Sequence, residues 1–235
     1  MAFDQLKTPS VRETFVRDIE NKILSGELKI GEKLPPARAL CGLMGVSLTI
    51  VNAGVSELVS KGFLEVKPRH GTYVADYKKL GNTETLVAMM RYNGGKLNSH
   101  DIRSFCETRI ALDPFVAELT IRRASDQALD DLGLLAEQVR SAEGTEELCR
   151  KTVDFYRQLY SLSDNSVVTL LYNSTIEPQL GMYALFVRKN GADYVKNAVE
   201  EIYRHVKARD IERAKRSIVA IQRLPLEGDT SIIEE

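Results

Sequence analysis

From residue 10 to residue 26, Val11, Phe15, Ile19, Ile23 and Leu24 recur at the three- and four-residue spacing of one helix face, and Gly26 ends the pattern. The next stretch, up to Pro36, is dense in Gly and Pro and reads as a loop. Pro36 suits the first turn of a second helix over 37–44, because its missing N–H would be unpaired there anyway. Gly45 breaks that helix. Val46-Ser47 opens a third, which runs to about Lys61 and is closed by Gly62. Ser47 is placed as its N-cap, with a hydroxyl able to take the N–H of Thr49 or Ile50. Val46 and Val51 are spaced to staple the entry. The expected inward face is Ile50, Val51, Val55, Leu58 and Val59. The outward face at the start is Ser47, Leu48, Thr49, Asn52 and Ser56. Phe63 to Lys67 then alternates with period two, Pro68-Arg69-His70-Gly71 reads as a turn, and Thr72-Tyr73-Val74 as the returning strand. Helix, helix, short turn, helix and hairpin within residues 1–77 is the order of a winged helix-turn-helix.

Past Asp76 the pattern turns helical throughout. A short helix is expected over 83–92, with a break at Asn93-Gly94-Gly95, and the stretch 78–97 reads as a helical linker. Helical periodicity then covers about 100–123, 126–142, 145–162, 166–187, 192–208 and 211–224, separated by short polar turns. The expected fold is mostly α: an N-terminal winged helix-turn-helix followed by an antiparallel six- to seven-helix bundle over 98–224. The tail 225–235 is expected to be disordered.

Composition changes this picture little, but charge adds to it. The 235 residues carry 32 Lys+Arg against 33 Asp+Glu, a net −1. Residues 1–79 hold 12 basic and 9 acidic side chains, the remainder 20 and 24, so a mildly basic front precedes an acidic body. A hydrophobic share of 43% excludes a wholly disordered chain. No run of eighteen apolar residues suggests a membrane span, and the first twenty residues lack the apolar core of a secretory signal. Three scattered cysteines, Cys41, Cys106 and Cys149, fit reduced thiols in a cytoplasm.

The first 77 residues resemble the DNA-binding domain of GntR-family transcription regulators. The resemblance is carried by Ile23-Leu24-Ser25-Gly26-Glu27-Leu28, Gly31-Glu32-Lys33-Leu34-Pro35, Arg38, Leu43-Met44-Gly45-Val46-Ser47, Leu58 to Leu64, and Arg69-His70-Gly71-Thr72-Tyr73-Val74. The remainder is similar to the all-helical effector domain of the FadR branch. Here the matching residues are Phe105-Cys106-Glu107-Thr108-Arg109 with Asp113, Phe155-Tyr156-Arg157-Gln158-Leu159 with Ser163-Asp164-Asn165, and Arg209-Asp210 with Ala214.

A major groove about 12 Å wide admits one α-helix, whose first residues reach base edges. Ser47, Leu48, Thr49 and Asn52 are the candidates on the third helix. Asn52 can read adenine, and Leu48 can offer a thymine methyl only apolar contact. Arg38 can take a phosphate or a guanine. Arg69, His70 and Gly71 form the wing tip, suited to the minor groove or its phosphates. DNA contact is the favoured reading at each; the alternatives are a solvated polar residue for Asn52, a plain surface turn for Arg69 and His70, and a salt bridge capping the domain core for Arg38. The resemblance implies arginines where this chain has Leu48 and Asn52. A bidentate arginine–guanine pair is worth about 1–3 kcal/mol, so losing two costs about 2–6 kcal/mol at the usual operator. A non-standard operator, poorer in contacted guanines, or a weaker intrinsic affinity is therefore expected. Pro36-Ala37 also stands where the family has Ser-Glu.

The resemblance further implies a metal held by one Asp and three His inside the bundle. In this chain those positions fall on Thr152, Tyr156 and near Val199 and Ile221, so no metal and no cofactor are expected. Arg109 matches a family arginine that faces the effector cavity, which Tyr156 and Thr152 would also line. On sequence alone two readings of Arg109 stand open: it answers an anionic small-molecule effector, or it pairs with a carboxylate such as Asp113 at i+4. Tyr160, Tyr172 and Tyr183 read as core aromatics. No motif of a catalytic or nucleotide-binding site is present, so an enzyme is not expected. The expectation is a dimeric, ligand-responsive regulator that binds an approximately palindromic duplex and no membrane. The alternative is a helical small-molecule- or protein-binding module whose winged domain has lost operator reading.

Overall fold

The computed structural model describes residues 9–92 and 99–233. The expected break at Asn93-Gly94-Gly95 lies outside them. The chain divides into two compact units, Met1–Gly94 and Gly95–Glu235.

The first unit begins with α1 (Val11–Leu24). Its Ser10 closes a capping box: Ser10 Oγ accepts from the Glu13 N–H at 3.2 Å, and the Ser10 N–H donates to Glu13 Oε2 at 2.7 Å. The helix buries Phe15, Val16, Ile19 and Ile23, while Val11 stays exposed in the first turn. Helices α2 (Ala37–Met44) and α3 (Leu48–Ser60) meet at 110° around Gly45, whose φ of 64° is a left-handed turn that a side chain would strain. Ser47 caps α3 by accepting the Ile50 N–H at 3.4 Å. The face of α3 that meets the core is centred on Val51, Gly54 and Leu58; of the expected five, Ile50 and Val55 pack at its margin and Val59 does not. Val59 is 36% exposed, and Ile50 and Val55 are only partly covered. Gly54 gives no hydrophobic signal, yet it lies directly against Phe15 of α1.

Strands β1 (Leu64–Lys67) and β2 (Gly71–Val74) pair antiparallel, Leu64 facing Val74 and Lys67 facing Gly71. Segment 31–34 joins as a short third edge: the Leu34 N–H donates to Thr72 O at 2.9 Å and the Val74 N–H to Glu32 O at 2.8 Å. Helices α4 (Tyr77–Leu80) and α5 (Thr83–Tyr92) do not behave as the linker expected over 78–97. Ala88 enters the core of the first unit, and Asn82 Nδ2 donates to Ser60 O at 2.9 Å. Thr85 Oγ1 donates to Lys61 O, and Arg91 lies 3.8 Å from buried Glu20, which Lys61 also meets at 3.0 Å. Asn82 is the missed N-cap, its Oδ1 accepting the Glu84 N–H at 2.9 Å.

Gly42 lies in α2 with nothing within 4 Å of where a Cβ would stand, and its φ is not left-handed. Gly42→Ala is therefore expected to stabilise the first unit by about 0.5–1 kcal/mol through helix propensity, read as a higher denaturation midpoint.

In the second unit, α6 (Ser99–Arg123), α7 (Asp126–Ser141), α8 (Thr145–Leu162), α9 (Ser166–Ser174), α10 (Ile176–Asn190), α11 (Ala192–Lys207) and α12 (Ile211–Arg223) surround a core that includes Leu132, Phe155, Leu159, Ile202 and Ile218. The helix expected over 166–187 is two helices. Pro178 has no N–H to donate to Ser174, and its ring crowds that carbonyl, so the chain breaks at Thr175 and Pro178 falls in the first turn of α10. The tail is ordered as far as 233. Its Ile232 is 5% exposed, its N–H donates to Pro225 O at 2.9 Å, and Asn190 Nδ2 donates to Thr230 O at 2.9 Å. The apolar Pro225 and Ile232 anchor a stretch that its polar residues made look unstructured.

Candidate nucleic-acid interface and effector cavity

The eight residues expected to face DNA all lie at the surface of the first unit. Arg38 is exposed in the first turn of α2, and Ser47, Leu48, Thr49 and Asn52 are exposed along the start of α3. At the wing, the His70 N–H donates to Lys67 O at 2.9 Å, closing a turn with Pro68 and Arg69 at its centre. Arg69 has a φ of 66°, the left-handed position that glycine usually fills. The turn therefore rests on Arg69, while Gly71 belongs to the ladder opposite Lys67. Glycine at 71 is required first by its φ of 117°, which side chains rarely adopt, and a Cβ there would also stand 2.9 Å from Lys33 Cε.

In the second unit, Arg109 is buried on α6 and its charge is answered from within. Its Nε donates to Asp113 Oδ2 at 3.0 Å, and Nη1 donates to Tyr183 Oη at 2.6 Å. Nη2 lies 2.9 Å from the same Asp113 oxygen, close enough for an ion pair but poorly aligned for a hydrogen bond. The guanidinium sits 4.4 Å from the Tyr156 ring centroid. Asp113, with no exposed surface, also accepts from Tyr160 Oη at 2.5 Å and from Gln222 Nε2 at 2.8 Å. Burial works against the Arg109 charge, but Asp113 and the neighbouring tyrosines outweigh it and hold the group protonated well above its ordinary range. Burial, then the Asp113 charge, pushes Tyr160 up. Tyr183 is pushed up to about 12, chiefly by burial. Of the two sequence readings of Arg109, the pair with Asp113 is the one the geometry contains.

Beside this network is a partly open cavity of about 40 Å³, lined by Thr152, Tyr156, Tyr183, Val199, Ile221 and Gln222 together with apolar side chains of α10 and α11. Thr152 and Tyr156 thus stand where the sequence put them. Arg109 is behind Tyr156 and Tyr183 instead of on the wall. Tyr183 and Gln222 were missed. Tyr183 read as a core aromatic, and Gln222 sits at the end of a charged helix with no local signal. All four positions that the family resemblance linked to a metal line this one cavity. Their residues do not fit a metal: Val199 and Ile221 offer no donor, and Thr152 Oγ1 already donates to Leu148 O at 2.8 Å. Among the described residues no group of three or more His, Cys, Asp or Glu could hold one. Burial raises the Cys106 and Cys149 thiols to about 11, so both are unreactive hydrophobes.

A winged helix-turn-helix on one unit and a cavity in a second, all-helical unit define a DNA-binding regulator with a separate ligand-sensing domain. The family description "Bacterial regulatory proteins, gntR family" matches residues 12–74, and "FCD domain" matches 104–223, just over half of the chain. The chain belongs to the GntR family, in its FadR-type branch with an FCD domain. It is 29% identical to the HTH-type transcriptional regulator Mce2R of Mycobacterium tuberculosis, over 84% of this chain and 85% of that one. It is 26% identical to the HTH-type transcriptional regulator LutR of Bacillus subtilis, over 84% and 91%. A solved structure described as "Lar controls the expression of the Listeria monocytogenes agr system and mediates virulence" shares the fold with a TM-score of 0.60 at 17% identity, covering 94% of this chain and all of that one. This protein is accordingly a ligand-responsive DNA-binding transcription regulator, and the alternative of a helical module that has lost DNA binding is not favoured. The relatives it matches are regulators, in keeping with a non-enzymatic role. Among the described residues no single helix is long and apolar enough to cross a membrane.

Proposed function

We propose that two copies of this chain bind an approximately palindromic operator in the cytoplasm, each laying the start of α3 in a major groove and the wing tip beside it. The observation that carries this is the exposed row Ser47, Leu48, Thr49 and Asn52 at the capped start of α3, with Arg38 and Arg69 exposed on the same unit. A two-fold protein requires a two-fold site. Because Leu48 and Asn52 replace guanine-reading arginines, the operator has fewer contacted guanines than the family's usual one.

The effector enters the cavity walled by Thr152, Tyr156, Tyr183 and Gln222. Its present volume holds only water, so binding opens the walls contributed by α10, α11 and α12. Asp113 already neutralises Arg109, so the effector need not be an anion. A ligand that hydrogen-bonds Tyr183 or Gln222 takes them from Arg109 or Asp113, which ties occupancy to the position of α6. Affinity for DNA then shifts only by the ligand's preference for one arrangement over the other.

Arg38→Ala tests the docking geometry. Fluorescence anisotropy with the duplex selected from a random pool is expected to show weaker binding and a salt slope reduced by about 0.9 for each winged unit. Unchanged affinity and slope would mean that α2 does not face the duplex. Native mass spectrometry of the purified protein reads dimer mass, bound metabolite and metal together, and a stoichiometric metal would contradict the cavity assignment.

A further inference from the structure

Helix α3 carries no lysine or arginine, and its one charged side chain is Glu57. Lys61, just beyond it, is committed to buried Glu20 at 3.0 Å and to Glu57 at 2.9 Å. Duplex DNA presents a negative charge about every 1.7 Å of its axis, so the cations that hold this unit to it must stand elsewhere.

The outer face of the wing supplies them. Glu65 faces Tyr73, Lys67 faces Gly71, and the 31–34 edge sets Lys33 opposite Tyr73. Paired residues of an antiparallel ladder share a face, and so do residues two apart on one strand. Lys33, Glu65, Lys67, Gly71 and Tyr73 therefore form one surface with a single carboxylate, while Leu34, Leu64 and Val74 are buried on the other. The Lys67 ammonium lies 4.8 Å from the Tyr73 ring centroid and that of Lys33 5.9 Å, so the ring holds two cations side by side. The missing side chain at Gly71 lets the Lys33 stem lie across β2 toward the tip. Lys67 has Glu65 at 2.9 Å. Among the described residues, no carboxylate forms an ion pair with Lys33.

We propose that the ridge of Lys33, Tyr73 and Lys67, with Arg69 at the tip, grips DNA backbone phosphates, so that α3 reads bases with uncharged groups while the wing, together with Arg38 of α2, carries the salt-dependent part of binding. Lys33 is the key position because its charge is free and its stem is seated.

The test uses the full chain and a mixed-sequence duplex, with anisotropy read from about 50 to about 200 mM salt, where phosphate contacts dominate. Lys33→Gln is expected, for each winged unit bound, to flatten the log-affinity against log-salt slope by about 0.9 and to weaken binding about eightfold at about 0.1 M salt. Lys33→Arg keeps the charge and is expected to restore both. The same exchange at Lys151, in the second unit, is expected to change neither. Lys33 is exposed, so a matching melting curve verifies that the fold is intact. If Lys33→Gln leaves the slope unchanged while Arg38→Ala lowers it, the ridge faces away from the duplex and the proposal is overturned. If neither lowers it, the docking of the whole winged unit falls with it.

Discussion

Asp113→Ala is expected to destabilise the helical unit by about 3–5 kcal/mol, because it leaves the Arg109 guanidinium buried with no counter-charge. The change also strips the acceptor from Tyr160 and Gln222, which reach Asp113 from α8 and α12. At a few degrees per kcal/mol, the melting temperature should fall on the order of 10 °C. Surface ion pairs such as Arg150 with Glu146 provide the contrast; breaking that one should cost well under about 1 kcal/mol. The double variant Arg109→Met, Asp113→Leu separates the explanations. If the penalty is the orphaned charge, replacing both partners with apolar side chains recovers much of the loss, since a buried pair contributes little net stability over such a replacement. Recovery stays partial, because Tyr183, Tyr160 and Gln222 lose their partners too. A melting curve for Asp113→Ala that overlays the parent would show that the network is not what orders these four helices.

Gly54→Ala is expected to destabilise the winged unit by about 1–3 kcal/mol, despite the helix propensity that alanine adds. The new Cβ would stand 2.3 Å from Phe15 Cδ1 and 2.6 Å from Cε1, and Phe15 is 2% exposed in the centre of that unit's core. An aromatic ring in a close-packed interior cannot swing aside, so α1 and α3 must part. Because α3 presents the row proposed to read bases, specific DNA affinity should fall with stability. Shortening the obstacle tests the cause: Phe15→Leu in the Gly54→Ala background should regain part of the loss, although Phe15→Leu alone is itself destabilising. Chemical denaturation of the four proteins completes the cycle, and simple additivity would rule out the contact as the cause.

The contrast between Gly42 and Gly54 shows how far the chain could be read without coordinates. Both are helix-interior glycines flanked by apolar residues, and nothing in the local pattern distinguishes them. One faces open space and the other a ring from thirty-nine positions earlier in the chain. The helical periods, the capping serine Ser47 and the two-residue alternation of the hairpin are local properties, and they were legible. The break at Thr175 was also encoded locally, by Pro178, but the continuous apolar pattern over 166–187 masked it. Ala88, Pro225 and Ile232 were not legible as anchors. An isolated apolar residue in a polar stretch carries no periodicity, and its burial depends on what the rest of the fold places beside it.

The candidate site divides in the same way. Arg38, Ser47, Leu48, Thr49 and Asn52 follow from where two helices begin, and a helix start is set by a few neighbouring residues. Sequence therefore determined the class of the protein, the order of its elements and which side chains stand exposed at the starts of α2 and α3. Only the tertiary structure decided that Asp113 answers Arg109, that Tyr183 and Gln222 close the same network, and that Gly71 leaves room for Lys33. These pairs join residues distant in the chain or choose among several possible partners, and that choice is made by packing, where burial makes each unpaired polar group costly.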